Sequence, residues 1–162
     1  MGKWLLAGLV TGVLVIADQV TKLAVVDALA PRGRMEVMPG FFDLVFTLNT
    51  GVSFGMFSGH PGVMRILLLS LVAVVALGAV IWFIKITDPQ DKLFLWALAL
   101  VAGGAIGNLI DRVRLGGVID FLDVYVGTYH WPAFNVADAG ITTGTALILL
   151  HLWLTRHRTK SA

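Results

Sequence analysis

Asp120 and Asp138 are the residues of this chain best suited to do chemistry. They lie in the stretch Gly103 to Gly140, GGAIGNLIDRVRLGGVIDFLDVYVGTYHWPAFNVADAG, which holds four of the ten acidic residues: Asp111, Asp120, Asp123 and Asp138. Two of the four have local explanations. Asp111 is followed by Arg112, so the pair reads as a supporting ion pair, and Asp123 reads as a solvated loop charge. Asp120 and Asp138 have no basic neighbour to neutralise them in the same way. Two carboxyl groups brought together cannot both ionise cheaply, so they share one proton. One then acts as base on a water while the other, protonated, polarises a carbonyl.

Other chemistries find less support. The chain has no cysteine, so disulfides, thiol nucleophiles and thiolate metal sites are excluded. The four histidines (His60, His130, His151 and His157) are scattered and no HExxH occurs, so no metal and no cofactor is expected. Ser53 or Ser58 with Lys22 as base is a second hydrolytic reading. A third, from another class, is a small proton-coupled membrane carrier whose Asp pair binds a proton. Carriers of that kind often contain inverted repeats, and none is visible here. Gly103, Gly104 and Gly107 lack the strand–loop–helix context of a phosphate-binding loop and read as helix-packing residues.

The elements that must hold these residues are apolar. Of 162 residues, 57% are hydrophobic and 14% charged, against about 45–50% and about 25% in soluble domains. Four segments, about 4–26, 64–86, 93–113 and 136–155, read as transmembrane spans of a single membrane-embedded domain. The first is uncharged only from Trp4 to Ala17 and needs the continuation DQVTKLAVV to reach spanning length. Met-Gly-Lys before an apolar run resembles a secretory signal, but no small-x-small site follows, so the helix is expected to be retained. Leu6 stands where N-myristoylation requires Ser or Thr. Two long connections, 28–62 and 114–134, contain the strand-like runs FFDLVFTLN and VIDFLDVYV. The expected fold is an all-α polytopic membrane protein with four transmembrane helices and a small extracytoplasmic β-sheet.

With four spans, Lys3, Lys85, Lys92, Arg156, Arg158 and Lys160 share one side. Lys22, Arg32, Arg34, Arg65, Arg112 and Arg114 share the other, a raw tie. Lys22 and Arg112 look like interior residues with carboxylate partners. Discounting them puts the termini in the cytoplasm by the positive-inside rule. The net charge of +2 then reflects helix ends facing the cytoplasm and no nucleic-acid partner. The same topology gathers the unusual polar residues on the opposite side. Asp18 and Lys22 sit i,i+4 at the exit of span one, and Asn108, Asp111 and Arg112 at the exit of span three. Asn135, a candidate helix cap, and Asp138 stand at the entry of span four. The loops bring Asn49, Thr50, Gly51 and Asp120 to the same layer. Ionisable groups at membrane depth are costly and mark function or a paired structural site.

The motifs DQVTK (18–22), NTGVSFGMF (49–57), GGAIGNLIDR (103–112), VIDF (118–121) and FNVADAGI (134–141), in this order on four spans, resemble the lipoprotein signal peptidases, or signal peptidase II. The resemblance covers nearly the whole chain. It implies an inner-membrane aspartyl endopeptidase, multi-pass with both termini cytoplasmic and the site near the extracytoplasmic face. Its implied partners are lipid-modified prolipoprotein signal peptides and membrane lipid, with cleavage just before a cysteine carrying a diacylglyceryl group. By motif match Asp120 and Asp138 become the catalytic dyad. Asp18, Lys22, Asn49, Gly104, Asn108, Asp111, Arg112, Asn135 and Ala137 become supporting or substrate-binding positions. No cofactor is implied, and a monomer is expected.

Overall fold

The computed structural model describes residues 2–51 and 62–160. Four helices, α1 (Lys3–Leu29), α2 (Gly62–Ile86), α3 (Lys92–Leu115) and α4 (Val136–Lys160), run a few residues beyond the expected spans. Each is long and apolar enough to cross a membrane. α3 is the central helix. Of its apolar window 56% is buried, against 6% in α2 and 17% in α1 and in α4. It packs on all three others, which turn their remaining apolar surface outward.

The sequence of α3 explains that position. Ala97, Ala99, Ala102, Gly103, Gly104, Ala105 and Gly107 are all buried in it. Lipid offers no hydrophobic drive between helices, so small residues that admit close van der Waals packing decide which helices meet. At Gly104 the approach is closest. A Cβ there would collide with the Ala137 carbonyl oxygen and lie 2.6 Å from Ile141 Cγ1. Asp91 caps the start of α3, accepting from the Phe94 N–H. Gly116, left-handed at φ 70°, ends it and returns its N–H to the Arg112 carbonyl. The chain passes from there straight into a strand.

Four antiparallel strands follow the order β1 (Arg34–Met38), β2 (Phe42–Asn49), β3 (Val118–Val126) and β4 (Tyr129–His130). β2 and β3 are the two strand-like runs, and they pair with Thr47 opposite Asp120 and Asn49 opposite Val118. Side chains alternate across a strand. Ile119 and Phe121 therefore enter a cluster with Val25 and Leu29 of α1, while Asp120 faces away from it. β1 and β4 lay within the expected loops. β1 is exposed along its whole length and β4 has two residues, so neither carries the one-sided apolar alternation that marks a strand in sequence.

Candidate active site

Asp120 comes from β3 and Asp138 from the first turn of α4. Three asparagines from three further places bind them. Asn49 Nδ2 donates to Asp120 Oδ2 (2.9 Å). Asn108 Nδ2 donates to Asp138 Oδ1 (2.7 Å). Asn135 serves both acids: its Nδ2 donates to Asp120 Oδ1 (2.8 Å) and its backbone N–H to Asp138 Oδ2 (3.3 Å). Asn135 Oδ1 accepts the Asp138 N–H (2.9 Å), which makes a reciprocal cap at the start of α4. Each of the four carboxylate oxygens thus takes one donor, which leaves lone pairs for a proton or a water. Burial, followed by the charge of Asp138, pushes the Asp120 carboxyl up to about 6. The Asn49 and Asn135 hydrogen bonds and Lys22 oppose that rise.

Behind this pair lies a second, fully enclosed cluster. Lys22 Nζ bridges Asp18 Oδ2 and Asp111 Oδ2 at 2.8 Å each, and all three residues are at most 2% exposed. Asp18 Oδ1 also accepts the Ala137 N–H (2.9 Å), and Asp111 Oδ2 accepts the Ile119 N–H (3.1 Å). Ala137 precedes Asp138 and Ile119 precedes Asp120. The cluster therefore grips the backbone one residue ahead of each acid. Ala137 is fully buried against Gly107 and Gly104, so these small residues let α4 sit close enough for the Asp18 bond. Gln19 adds donors to Asp111 Oδ1 (3.0 Å) and Asp18 Oδ2 (3.1 Å) and accepts from Arg114.

Two expectations are corrected. Asp111 pairs with Lys22, and no Asp111–Arg112 ion pair occurs among the described residues. Arg112 instead turns toward the cavity, within electrostatic reach of Asp138, Asp120 and Asp111. It is thus a basic residue near the two acids that their sequence neighbourhood did not reveal. Asp123 is no solvated charge: it is 7% exposed and pairs with His130 Nδ1 (2.9 Å), whose ring stacks on Tyr125. Gln19 and the buried Asp43, which pairs with Arg34, were not singled out in the sequence. Gln19 lies inside the DQVTK motif; Asp43, in a strand-like run, gave no signal. Ser53, Ser58 and His60 lie outside the described residues.

A cavity of about 610 Å³ opens over the acids. Asn49, Arg112, Asp120 and Asp138 form its polar wall. Leu69 of α2, Phe134 and Ala139 with Thr142 and Thr143 of α4 form the wall toward the spans. Among the described residues no cluster of metal-ligating side chains occurs. The arrangement can activate a water held between two carboxyl groups and protonate the group it attacks.

Residues 10–154 match the family model described as signal peptidase (SPase) II. A lipoprotein signal peptidase of Desulforapulum autotrophicum is 42% identical over 145 residues, 89% of each chain. That of Geobacter metallireducens is 45% identical over 145 residues, 89% of this chain and 88% of its own. A solved bacterial membrane enzyme superposes with a TM-score of 0.79 at 32% identity, covering 90% of this chain and 91% of that one. Four spanning helices and an acid pair drawn from β3 and α4, in a chain matched along nearly its whole length, place it in the signal peptidase II family of aspartic-type signal peptidases.

Proposed function

We propose that this chain cleaves the signal peptide from diacylglyceryl-modified prolipoproteins, just before the lipidated cysteine, with a water activated by Asp120 and Asp138. The observation that carries the reading is the amide frame: one donor to each of four carboxylate oxygens, around two acids that face one cavity. Such a frame fixes both acids without neutralising them. The pair holds one proton, and the raised affinity of Asp120 makes it the first to take it. Asp138 then accepts a proton as the water oxygen attacks the scissile carbonyl, and Asp120 gives its proton to the carbonyl oxygen. When the tetrahedral diol collapses, the C–N bond breaks, the proton on Asp138 passes to the departing cysteine amine, and one diol hydroxyl returns its proton to Asp120 as the new carboxylic acid forms. Arg112, facing both acids, offsets the charge left on the pair.

The wall toward the spans suits the substrate. Leu69 on α2 and Thr142 and Thr143 on α4 line a gap between helices through which a signal helix and acyl chains can approach sideways from the bilayer. In this reading the protein lies in the bacterial inner membrane with cytoplasmic termini, has its site near the extracytoplasmic face and works as a monomer. Burial of Lys22 between two carboxylates weighs against a Ser53–Lys22 mechanism. The test is to incubate the purified protein with a diacylglyceryl-modified precursor peptide beside Asp120→Asn, Asp138→Asn and Ser53→Ala. Loss of cleavage in the two Asp variants, with activity kept in Ser53→Ala, is expected. Full activity in either Asp variant sinks the dyad.

A further inference from the structure

The geometry points to a second substrate pocket beyond Asp120, which receives the precursor just after the cleaved bond and in which Arg65 selects by charge the residue that follows the lipidated cysteine. This rests on the cleavage reading above. Two cavities meet at Asp120. The larger continues past Asp138 to Leu69, Thr142 and Thr143, inside the spans. The smaller, about 390 Å³, shares Asn49, Gly51, Asp120, Pro132 and Ala133 with it but not Asp138. It continues instead to Thr47 and Thr50 beside the sheet and to Arg65 near the start of α2.

A peptide laid across the two acids therefore has one end toward Leu69, Thr142 and Thr143 of the spans and the other in a pocket whose far wall is Thr47, Thr50 and Arg65. The signal peptide is apolar and belongs at the first end. The chain that follows the cut leaves by the second. Side chains of an extended peptide alternate in direction. The cysteine must keep its lipid directed at the bilayer, so the next side chain turns the opposite way, toward Thr47, Thr50 and Arg65. Gly51 sets the place of the guanidinium. A Cβ on Gly51 would lie 2.7 Å from Arg65 Nη1 and 3.0 Å from its Cδ, so the arginine lies against the bare α-carbon at the pocket wall. Arg65 is partly exposed. An ion pair in such a setting changes affinity by up to about five-fold. Replacing attraction by repulsion then separates an acidic from a basic residue by about ten-fold in kcat/KM.

The test uses three diacylglyceryl-modified precursor peptides that differ only after the modified cysteine, with Asp, Ser or Lys, cleaved by the full chain in micelles at low salt. The expected order of kcat/KM is Asp above Ser above Lys, about ten-fold from end to end, and smaller in high salt. Arg65→Gln is expected to bring the three within about two-fold while still cleaving them. Equal kcat/KM for the Asp and Lys peptides in the unmodified protein overturns the pocket, as does an unchanged ratio in Arg65→Gln. Should Arg65→Gln cleave nothing, Gly51→Ala, which displaces the guanidinium, carries the same comparison: a narrowed ratio supports the pocket and an unchanged one overturns it. Failure of the unmodified protein to cleave any of the peptides overturns the cleavage reading itself, and the pocket with it.

Discussion

Lys22→Met puts the buried cluster to the sharpest test. Methionine matches the length and shape of the lysine stem, so the change removes charge and three donors with little change in packing. What remains is two carboxylates, Asp18 and Asp111, both within 2.8 Å of the lost nitrogen and both shielded from water. Breaking one partner out of a buried ion pair costs about 3–5 kcal/mol, because the uncompensated charge stays behind. For a chain of this size each kcal/mol moves Tm by about 2–4 °C, so a fall on the order of 10 °C is expected. The assay is thermal unfolding in detergent, read beside cleavage. Because Asp18 and Asp111 hold the Ala137 and Ile119 N–H groups, kcat should fall with little change in KM in the material that remains folded. Adding Asp111→Asn should then cost far less than it does alone, with a coupling energy of about 1–3 kcal/mol in the double-mutant cycle. A Lys22→Met protein that melts within about 2 °C of the parent, or additive effects in the cycle, would refute the argument.

Gly104→Ala should lower Tm and abolish most activity, since the new methyl meets the Ala137 backbone oxygen, which cannot move without α4; overpacking of this kind costs about 1–3 kcal/mol. Asn135→Ala should lose both the cap, worth about 1 kcal/mol, and the bridge between the acids, with kcat down about 100-fold. Asn135→Ser should restore Tm through its capping hydroxyl but not kcat; equal recovery of both would mean that the bridge is unimportant. The pH dependence has a defined sign. A dyad that works with one proton loses activity as that proton leaves, so kcat/KM should decline as pH rises through about 6. A flat profile from about pH 5 to 9 would count against the shared proton.

The architecture was legible because membrane spans announce themselves by length and hydropathy alone, and β2 and β3 by their β-branched and aromatic runs. β1 and β4 escaped, since exposed edge strands bury no face and so leave no alternation. For the site, sequence and topology identified the layer and the residue types: Asn49, Asn108 and Asn135 were all among the expected positions. Partnership was not legible. Asp111 looked matched to adjacent Arg112, yet residues i and i+1 on a helix point in different directions. The Arg112 side chain turns to the cavity while Asp111 meets Lys22 across the α1–α3 packing. Asp123 looked solvated because its partner His130 arrives only when β3 and β4 pair. Both misreadings come from judging charge balance along the chain, when it is settled between elements.

The same geometry explains why amides and not cations touch the two acids. A lysine or arginine in direct contact would favour both carboxylates as ions and drive off the proton that the reaction needs. Lys22 is near enough to lower the proton affinity of Asp120, but it is held back by its own two carboxylates. Its hydrogen-bonded path to Asp138 runs through Asn108. Lys22 Nζ donates to Asn108 Oδ1 (3.3 Å), which also accepts from Asn135 Nδ2 (3.2 Å), and Asn108 Nδ2 donates on to Asp138 Oδ1 (2.7 Å). Those two donors fix which way the amide points, and a polarised amide donates more strongly than an isolated one. Asp138 thereby feels the lysine as a directed hydrogen bond and not as a counter-ion. A buried cation is thus used to orient one acid through a neutral go-between, while burial raises the proton affinity of Asp120 against the pull of the two amides that hold it.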